Sequence, residues 1–240
     1  MEDLRELLAA ARNNNDFLRI LYMIRWRDGF CCPQCGGNKG YQCKRRYRMQ
    51  CMTCGLQTSP TSRTALHGVR NLSAWFRTIR TFTDSGQMNA IQLSGLLEIR
   101  YATAWLLLQK TRMVLACWME KCSEGFSIVP AEQMKKALFK SDRESRKYKD
   151  LSETSSDFTR KDSKVILPVA ARFVFYLLWI YRGISRKYAR EYAAEFSLNA
   201  KSKQLDMLEL LEIFVRASPV NKNDILARAA PDVILLGGAF

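Results

Sequence analysis

Four of the eight cysteines in this 240-residue chain form two pairs with the same local spacing, C-x2-C-G. The pairs are Cys32 with Cys35, followed by Gly36, and Cys51 with Cys54, followed by Gly55. Their separation matches that of a structural zinc site, in which four thiolates complete a tetrahedral shell. A glycine after each pair lets the backbone turn where a Cβ would obstruct it. The sequence therefore predicts a zinc centre that stabilises a domain too small to support itself.

The segment between the two pairs alternates between larger side chains and polar neighbours, which predicts a β-hairpin and hence a zinc ribbon. The alternating residues are Tyr41, Cys43, Arg45, Tyr47 and Met49. Cys31 is an alternative to Cys32, and Cys43 is a spare ligand. We interpret the metal as structural, because catalytic zinc keeps an open position and usually has histidine or carboxylate ligands.

The chain has a formal charge of +15 and a pI near 9.6, which predicts attraction to polyanions. Most of the positive excess lies in residues 1–123. Four cations cluster on the predicted hairpin: Lys44, Arg45, Arg46 and Arg48. They are candidate phosphate contacts, although the same charges could serve only to offset a zinc tetrathiolate.

Three features favour a soluble, cytoplasmic protein. The chain opens without a basic patch followed by an apolar run, so we expect no signal peptide, and the apolar stretch 173–181 is shorter than the roughly 18 residues of a membrane helix. The cysteine pattern is typical of metal thiolates in a reducing compartment. We expect no membrane partner.

Periodicity predicts a mainly α fold with a small β zinc ribbon. Residues 1–28 form N-terminal helices with a break at Asn13-Asn14-Asn15, and residues 29–66 form the ribbon. Residues 67–122 form a three-helix region. Ser73 caps its first helix, Asn89 caps the second, and the third runs from about Tyr101 to Met119. A short connection at residues 98–100 gives the last two helices the pattern of a helix-turn-helix.

The second half of the chain has a different composition. Residues 123–164 are predicted to be a flexible charged linker, and residues 165–240 a helical remnant. Helices are expected from Val169 to Tyr181, from Ser185 to Phe196, from Gln204 to Arg216, and from Asn223 to a stop at Pro231. His67 is the only histidine, and we interpret it as a capping or packing residue. Its isolation argues against a histidine-centred nucleophilic site.

Several motifs together resemble a known family. Residues 25–36 read R-W-R-D-G-F-C-C-P-Q-C-G, residues 67–70 read H-G-V-R ahead of Trp75 and Phe76, and residues 101–105 read Y-A-T-A-W. They are similar to the opening, the connector and the recognition helix of bacterial insertion-sequence transposases of the DDE type that begin with a zinc ribbon. The resemblance covers roughly residues 15–115. It implies that the ribbon and the helix-turn-helix recognise double-stranded DNA at element ends, in a bacterial, nucleoid-associated setting.

The tail also resembles this family, but a core is missing between head and tail. Residues 183–188 followed by 191–196 look like the family's late G-V-S-x-K-Y…Y-x-x-E-F motif. The resemblance implies an intervening ribonuclease-H-like core of well over a hundred residues with three carboxylates, and only about 45 residues separate Cys122 from Pro168. Glu132 could occupy the place of the first acid. One acid cannot hold two metal ions, so we expect no catalytic residues and no Mg²⁺.

The predicted recognition helix departs from the family pattern. Glu98-Ile99-Arg100 replaces a turn that tends to be Gly-Val-Ser, and Ala102 and Leu106 fall where lysine and arginine are usual. Lost phosphate contacts would weaken DNA affinity. The candidate DNA contacts on this helix are Arg100, Tyr101, Thr103, Gln109 and Lys110.

The leading hypothesis is a transposase-derived DNA-binding protein, without strand cleavage, that recognises element ends or a regulatory site and pairs with an intact related transposase or with itself. One alternative is a transposase that completes its site with a partner chain. Another is a protein-interaction module that uses Ala102 and Leu106. A decayed gene product is the fourth possibility.

Overall fold

The computed structural model describes residues 3–43, 47–84, 88–121, 126–134, 138–139, 168–200 and 205–237. It is mostly helical, with a small antiparallel sheet at the cysteine pairs, as predicted. The chain divides into two compact units, residues 1–83 with 205–221 and residues 84–204 with 222–240. The chain therefore leaves the first unit and returns to it, which differs from the five consecutive segments expected from the sequence.

The described residues of the first unit form four helices and a three-stranded sheet. The helices are α1 (Leu4–Ala10), α2 (Asn14–Arg25), α3 (Leu72–Asp84) and, from the C-terminal part, α8 (Met207–Arg216); the strands are β1 (Gly40–Gln42), β2 (Met49–Cys51) and β3 (Gln57–Thr58). Asn13 starts α2 through a capping box with Asp16, in which each side chain accepts a hydrogen bond from the backbone of the other. The predicted break between the first two helices is present, but of the three asparagines only Asn13 lies in it, because α2 begins at Asn14.

The core of the first unit depends on residues far apart in sequence. Phe17 of α2 packs against Phe76 of α3 with ring centroids 4.1 Å apart, and Trp75 meets Phe214 of α8 edge to face at 5.8 Å. The N–H of Ala65 donates to the carbonyl of Phe214. Helix α8 therefore completes a core that the N-terminal helices begin.

The start of α3 differs from the expectation. The helix begins at Leu72, and the side chain of Asn71 accepts from the N–H of Ala74. Ser73 was predicted to cap this helix and lies instead in its first turn, where the side chain of Asn14 accepts from its N–H. An asparagine two positions earlier thus takes the capping role, because its side-chain oxygen reaches the free N–H groups of the first turn.

The second unit is built around one long helix. Its helices are α4 (Ala90–Leu97), α5 (Tyr101–Lys121), α6 (Pro168–Tyr181), α7 (Ala189–Ala200) and α9 (Lys222–Leu226); its strands are β4 (Phe126–Pro130), β5 (Leu138–Phe139), β6 (Ile184–Ser185) and β7 (Val233–Gly237). Short 3₁₀ helices cover Ala131–Met134 and Arg186–Tyr188. Asn89 caps α4 through a capping box with Gln92, as predicted.

Strands in the second unit correct two expectations. β4 and β7 pair antiparallel with Val129 opposite Ile234, both fully buried, and β5 pairs parallel with β6. Part of the predicted linker 123–164 is therefore strand and 3₁₀ helix, and residues 140–167 lie outside the described residues. The tail is not purely helical, since α9 ends at Leu226 and the chain then forms β7.

A buried ion pair holds three helices of the second unit together. Arg112 of α5 donates to Glu195 of α7, and Tyr181 at the end of α6 donates to both oxygens of that carboxylate at 3.0 Å. The guanidinium also lies over the ring of Tyr192, 4.3 Å from its centroid. The network satisfies polar groups that would otherwise be costly to bury.

No helix within the part of the chain that the structure describes is long and apolar enough to cross a membrane.

Candidate metal centre and nucleic-acid interface

The two cysteine pairs lie on two turns with the same backbone geometry. The carbonyl of Cys32 accepts from the N–H of Gly36 and that of Cys51 from Gly55, both at 3.0 Å. The N–H of Cys32 donates to Gly37 and that of Cys51 to Leu56, both at 2.9 Å. Gly36 and Gly55 share a φ of +72°, which glycine adopts without strain. The predicted role of these two glycines is confirmed.

These turns bring four sulfur atoms to one point. The sulfurs of Cys32 and Cys54 lie 3.6 Å apart, as do those of Cys35 and Cys51, and all four lie within 4.8 Å of one another. A tetrahedral shell with Zn–S bonds of about 2.3 Å places sulfurs about 3.8 Å apart. The four cysteines therefore form a zinc-ribbon site whose donor set and spacing fit a structural Zn²⁺.

Backbone N–H groups prepare part of this site for thiolates. The N–H of Cys54, helped by that of Thr53, lowers the pKa of Cys51 to about 6 despite burial. The N–H groups of Cys35 and Gln34 likewise lower the pKa of Cys32.

The pKa values of the other two thiols, those of Cys35 and Cys54, are raised instead. The N–H of Gly37 lowers the pKa of Cys35, but the thiol of Cys54, burial and the other sulfurs together raise it to about 12. The pKa of Cys54 is also raised, because burial and the sulfurs of Cys32 and Cys51 outweigh the N–H of Leu56. Four sulfurs at this distance cannot all ionise without a cation among them, and a divalent ion meets that need.

The alternative ligands lie outside the cluster. Cys31 is exposed and its sulfur approaches the carbonyl oxygen of Gly36 at 3.9 Å, whereas Cys43 is half-buried beside the hairpin. Among the described residues, the four paired cysteines are the only group of three or more potential ligands whose atoms could share a metal. Glu132 is exposed on its 3₁₀ helix and belongs to no such group.

An apolar cluster supports the metal centre from one side. It contains Phe30, Cys32, Met49 and Cys51, with Tyr22, Trp26 and Leu56 packed against it. Gly40 on β1 lies so close to this cluster that a Cβ there would be 2.6 Å from Cδ1 of Phe30 and 3.0 Å from the carbonyl oxygen of Gln50. Sequence reasoning missed this requirement, because the contact joins residues ten positions apart that carry no recognisable motif.

Two arginines that match no predicted site hold the loop after the ribbon. Arg25 donates through Nη1 to the carbonyl oxygens of residues 59, 60 and 62, at 3.0, 3.0 and 2.6 Å. Arg63 donates to the carbonyl of Pro33 beside the first cysteine pair, and its N–H donates to Nδ1 of His67 at 3.3 Å. Arg25 could have been singled out from the sequence, because it is the first residue of the R-W-x-D-G motif. His67 therefore caps a loop, as the sequence indicated.

The predicted cations of the hairpin are only partly described. Arg48 is exposed, and its carbonyl accepts from the N–H of Cys43 at 2.8 Å across the turn. Tyr47, next to it, has a φ of +52°. Lys44, Arg45 and Arg46 lie outside the described residues.

The five candidate contacts on or beside α5 do not share one surface. Arg100, Tyr101 and Thr103 are exposed together at the N-terminal end of the helix. Gln109 is only 1% exposed, and its amide donates to the hydroxyl of Tyr192 at 3.4 Å. Lys110 is half-buried, and burial lowers its pKa although Asp224 acts against this. Gln109 was a candidate DNA contact from the sequence, but the structure buries it, because α5 turns that face toward α7.

The turn between α4 and α5 closes without glycine. Glu98 ends α4 in a left-handed conformation with φ +54° and ψ +40°, and its N–H donates to the carbonyl oxygen of Gly95. The N–H of Ile99 donates to the carbonyl of Ser94, and the carbonyl of Arg100 accepts from the N–H groups of Thr103 and Ala104. A three-residue connection thus joins the two helices, and the left-handed residue that the sequence lacked is supplied by a glutamate at some cost in strain.

Comparison with known proteins gives one match. Residues 12–57 match the family model of a transposase zinc-ribbon domain, a region that runs from just before α2 to the first residue of β3 and contains all four ligand cysteines. No curated protein and no solved structure matches the chain. The N-terminal region is therefore of transposase type, and the match does not reach the second unit.

Proposed function

We propose that this protein is a transposase-derived DNA-binding protein that recognises element ends or a regulatory site in duplex DNA and does not cut it. The observation that carries the proposal is the four-cysteine zinc site inside a domain that matches transposase zinc ribbons. A zinc ribbon of this type is a positioning module, because its closed tetrahedral shell leaves no place for a substrate.

The charge of the chain supports a nucleic-acid partner. A net charge of +15 draws the protein to a polyanion through release of condensed counterions. Arg48 lies exposed on the hairpin of the ribbon, and three further cations precede it in the sequence. These side chains are proposed to contact phosphates, which position a protein on DNA without reading its sequence.

The α4 and α5 pair is the proposed reading element. A three-residue turn joins the two helices, and the exposed start of α5 presents Arg100, Tyr101 and Thr103. In a helix-turn-helix, the N-terminal residues of the second helix meet base edges in the major groove. Gln109 and Lys110 are left out of this set, because the first is buried and the second half-buried.

Binding to selected DNA tests this proposal. Random duplexes should be enriched by the zinc-loaded protein, and the affinity for the selected site should fall steeply with salt. Arg48→Ala should reduce the slope of log affinity against log salt by about 1, and Arg100→Ala should also relax sequence preference. Arg216→Ala, an exposed cation of α8 near Glu212, is the matched control. No duplex binding at low salt would refute the proposal.

We propose that the protein does not cleave DNA, because too few residues separate its two transposase-like regions. Two-metal phosphoryl transfer needs several acids that converge on ions about 4 Å apart. Between Cys122 and Pro168 the chain is too short for a ribonuclease-H-like core, and Glu132 is exposed there. We expect no Mg²⁺-dependent nicking of the selected duplex. Nicking that appears only when a related intact transposase is added would favour the partnered enzyme instead.

Exposed apolar residues favour a protein-interaction module as the second candidate. Ile91 is 70% exposed on α4, and Tyr101 and Ala102 are exposed on α5, whereas Leu106 is half-buried. Introducing Ala102→Lys and Leu106→Arg distinguishes the two functions. DNA affinity should rise if this surface meets a duplex, because two phosphate contacts are added. Unchanged DNA affinity and a lost complex with another transposase chain or a second copy would favour the interaction module.

A further inference from the structure

The sheet of the zinc ribbon has one buried face and one exposed face. Met49 and Cys51 of β2 are buried in the apolar cluster at the metal centre. Because side chains alternate along a strand, Tyr41, Gln50 and Gln57 lie on the opposite face. The register aligns them across the three strands, with Tyr41 opposite Gln50 and Gln50 opposite Gln57. This row is the centre of the exposed face, and Tyr41 within it is 51% exposed.

Two cations flank the central row. The N–H of Met52 donates to the carbonyl of Lys39 at 3.0 Å, and the N–H of Cys43 donates to that of Arg48 at 2.8 Å. The pairing of β1 with β2 therefore continues by one residue pair at each end. Lys39 and Arg48 are exposed, and each lies two residues from the central row, so they share its face. The outer face of the ribbon thus consists of Lys39, Tyr41, Arg48, Gln50, Met52 and Gln57.

The two glutamines at the centre of the outer face form a pair. Nε2 of Gln57 donates to Oε1 of Gln50 at 3.1 Å. Neither side chain makes a second hydrogen bond to a described residue. The amide N–H group of Gln50 and the carbonyl oxygen of Gln57 are therefore available to a partner, as one donor beside one acceptor.

The stretch that contains the ribbon carries positive charge without any acid. Residues 29–83 include nine lysines and arginines and no aspartate or glutamate, and six of the nine lie in residues 29–66. A zinc ion with four thiolates has a net charge of about −2, so the ribbon stays cationic when the metal is bound. A second copy that used the outer face would bring like charges together, which is unfavourable. These charges favour a polyanion as the partner of this face.

Among polyanions, duplex DNA also matches the glutamine pair. In the major groove, adenine presents N7 as an acceptor beside its N6 amino group as a donor. The groove is about 12 Å wide and admits a β-ribbon. Lys39 and Arg48 lie four residue levels apart, which is about 14 Å along the strands at about 3.4 Å per residue. This separation is comparable with the groove width and lets the two cations reach phosphates on both of its walls.

We propose that the outer face of the ribbon enters the major groove and reads an adenine. Gln50 donates to N7, and Gln57 accepts from the N6 amino group. Tyr41 contacts the methyl group of a neighbouring thymine, and Lys39 and Arg48 hold the flanking phosphates. The proposal rests on the duplex binding proposed above, and it adds a second reading element to the start of α5.

Selection of random duplexes by the zinc-loaded full chain tests the proposal. The enriched sites should contain an adenine that Gln50→Ala no longer prefers. Gln50→Ala should bind the selected site about 5- to 100-fold more weakly, because a bidentate contact is lost. It should bind an unrelated duplex within about twofold of the unmodified protein, since phosphate contacts are kept. Gln57→Ala should behave in the same way.

A third glutamine of the same sheet supplies the matched control. Gln42 is exposed but lies on the opposite face, where it pairs with Met49 and its side chain accepts from the hydroxyl of Tyr22. Gln42→Ala should leave both affinities unchanged. Zinc content and the thermal unfolding transition of every variant establish that it is folded.

Gln50→Glu should change the base preference instead of removing it. The carboxylate eliminates the donor for N7 and leaves only acceptors available at the centre of the outer face. Cytosine presents its N4 amino group as a donor in the major groove, so it should replace adenine in sites reselected by this variant.

Several results would overturn the proposal. Gln50→Ala and Gln57→Ala proteins that enrich the same sites with unchanged affinity would do so. Equal losses on the selected and the unrelated duplex would reduce the face to phosphate contact. Tighter binding of polyglutamate than of duplex, lost in Lys39→Ala with Arg48→Ala, would assign the face to an acidic protein. Failure of the unmodified protein to bind any duplex would instead refute duplex binding itself, so the two failures are read from different proteins.

Discussion

The guanidinium of Arg112 and the carboxylate of Glu195 lie 2.7 Å apart in the interior of the second unit, with 2% and 1% of their side chains exposed. Arg112 also donates to the carbonyl of Met88 and to the hydroxyl of Tyr181. The pKa of Arg112 stays well above its ordinary value, because Glu195 and the surrounding tyrosines outweigh the opposing effect of burial. A charge pair that joins α5 to α7 thus specifies how the tail packs on the predicted recognition helix.

Breaking this pair is expected to be costly. Glu195→Gln leaves the guanidinium buried without its counter-charge, so the free energy of unfolding should fall by about 3–5 kcal/mol. The paired change Arg112→Met with Glu195→Met removes both charges and should restore much of that loss. Urea unfolding of the single and double variants measures the coupling. A loss below about 1 kcal/mol for Glu195→Gln would show that the pair does not hold the unit together.

Gly40 is predicted to be indispensable to the ribbon. A Cβ at this position would lie 2.6 Å from the Phe30 ring and 3.0 Å from a backbone oxygen, so Gly40→Ala should destabilise the first unit by about 1–3 kcal/mol. Gly95→Ala is the control, because no atom lies within 4 Å of a Cβ there. Since Gly95 is an exposed residue of α4, its replacement should stabilise by about 0.5–1 kcal/mol. Equal effects of the two changes would contradict the packing described for Phe30.

Glu191 is expected to make stability depend on pH. Burial raises its pKa above the ordinary value of 4.5. The backbone N–H of Glu191 itself and the nearby Arg228 and Arg190 offset this only in part, while Glu120 adds to it. Nε of Arg228 lies 3.0 Å from Oε1 of this buried carboxylate. The folded state therefore binds a proton more tightly than the unfolded state does.

The sign of the effect follows from that difference. The contribution to stability is fully present below pH 4.5 and is lost as the pH rises through the higher folded value. Glu191→Gln should flatten this part of the stability profile, measured as unfolding free energy between pH 4 and 8. Glu120→Gln, which alters an exposed carboxylate paired with Arg190, should leave most of it in place. A profile that stays unchanged in Glu191→Gln would remove this residue as the cause.

Local sequence signals predicted the metal centre and several helix boundaries. The C-x2-C-G repeats predicted the metal centre because each one forms a single turn, with both cysteines and the left-handed glycine within five residues. Asn13 and Asn89 were informative for the same reason, since a cap depends on residues three positions apart.

Contacts between distant segments could not be predicted in this way. β4 and β7 pair across more than a hundred residues, and the run V-I-L-L-G is too short and too uniformly apolar to distinguish a strand from a helix. Phe214 packs against Trp75 in the first unit, although no residue near Phe214 in the sequence indicates this contact. Gln109 was a candidate DNA contact because it lies on the predicted recognition helix, and only its packing against Tyr192, 83 positions away, shows that it is buried.

The zinc centre and DNA binding should be measured on the same sample, because their linkage is the central claim. The unmodified protein should contain about one zinc ion per chain and bind the selected duplex with strong salt dependence. Cys51→Ser should lose both the metal and the binding, whereas Cys31→Ser, which alters the exposed neighbour of the site, should keep both. Full duplex affinity in zinc-free Cys51→Ser protein, or no duplex binding by the fully loaded protein, would contradict the account.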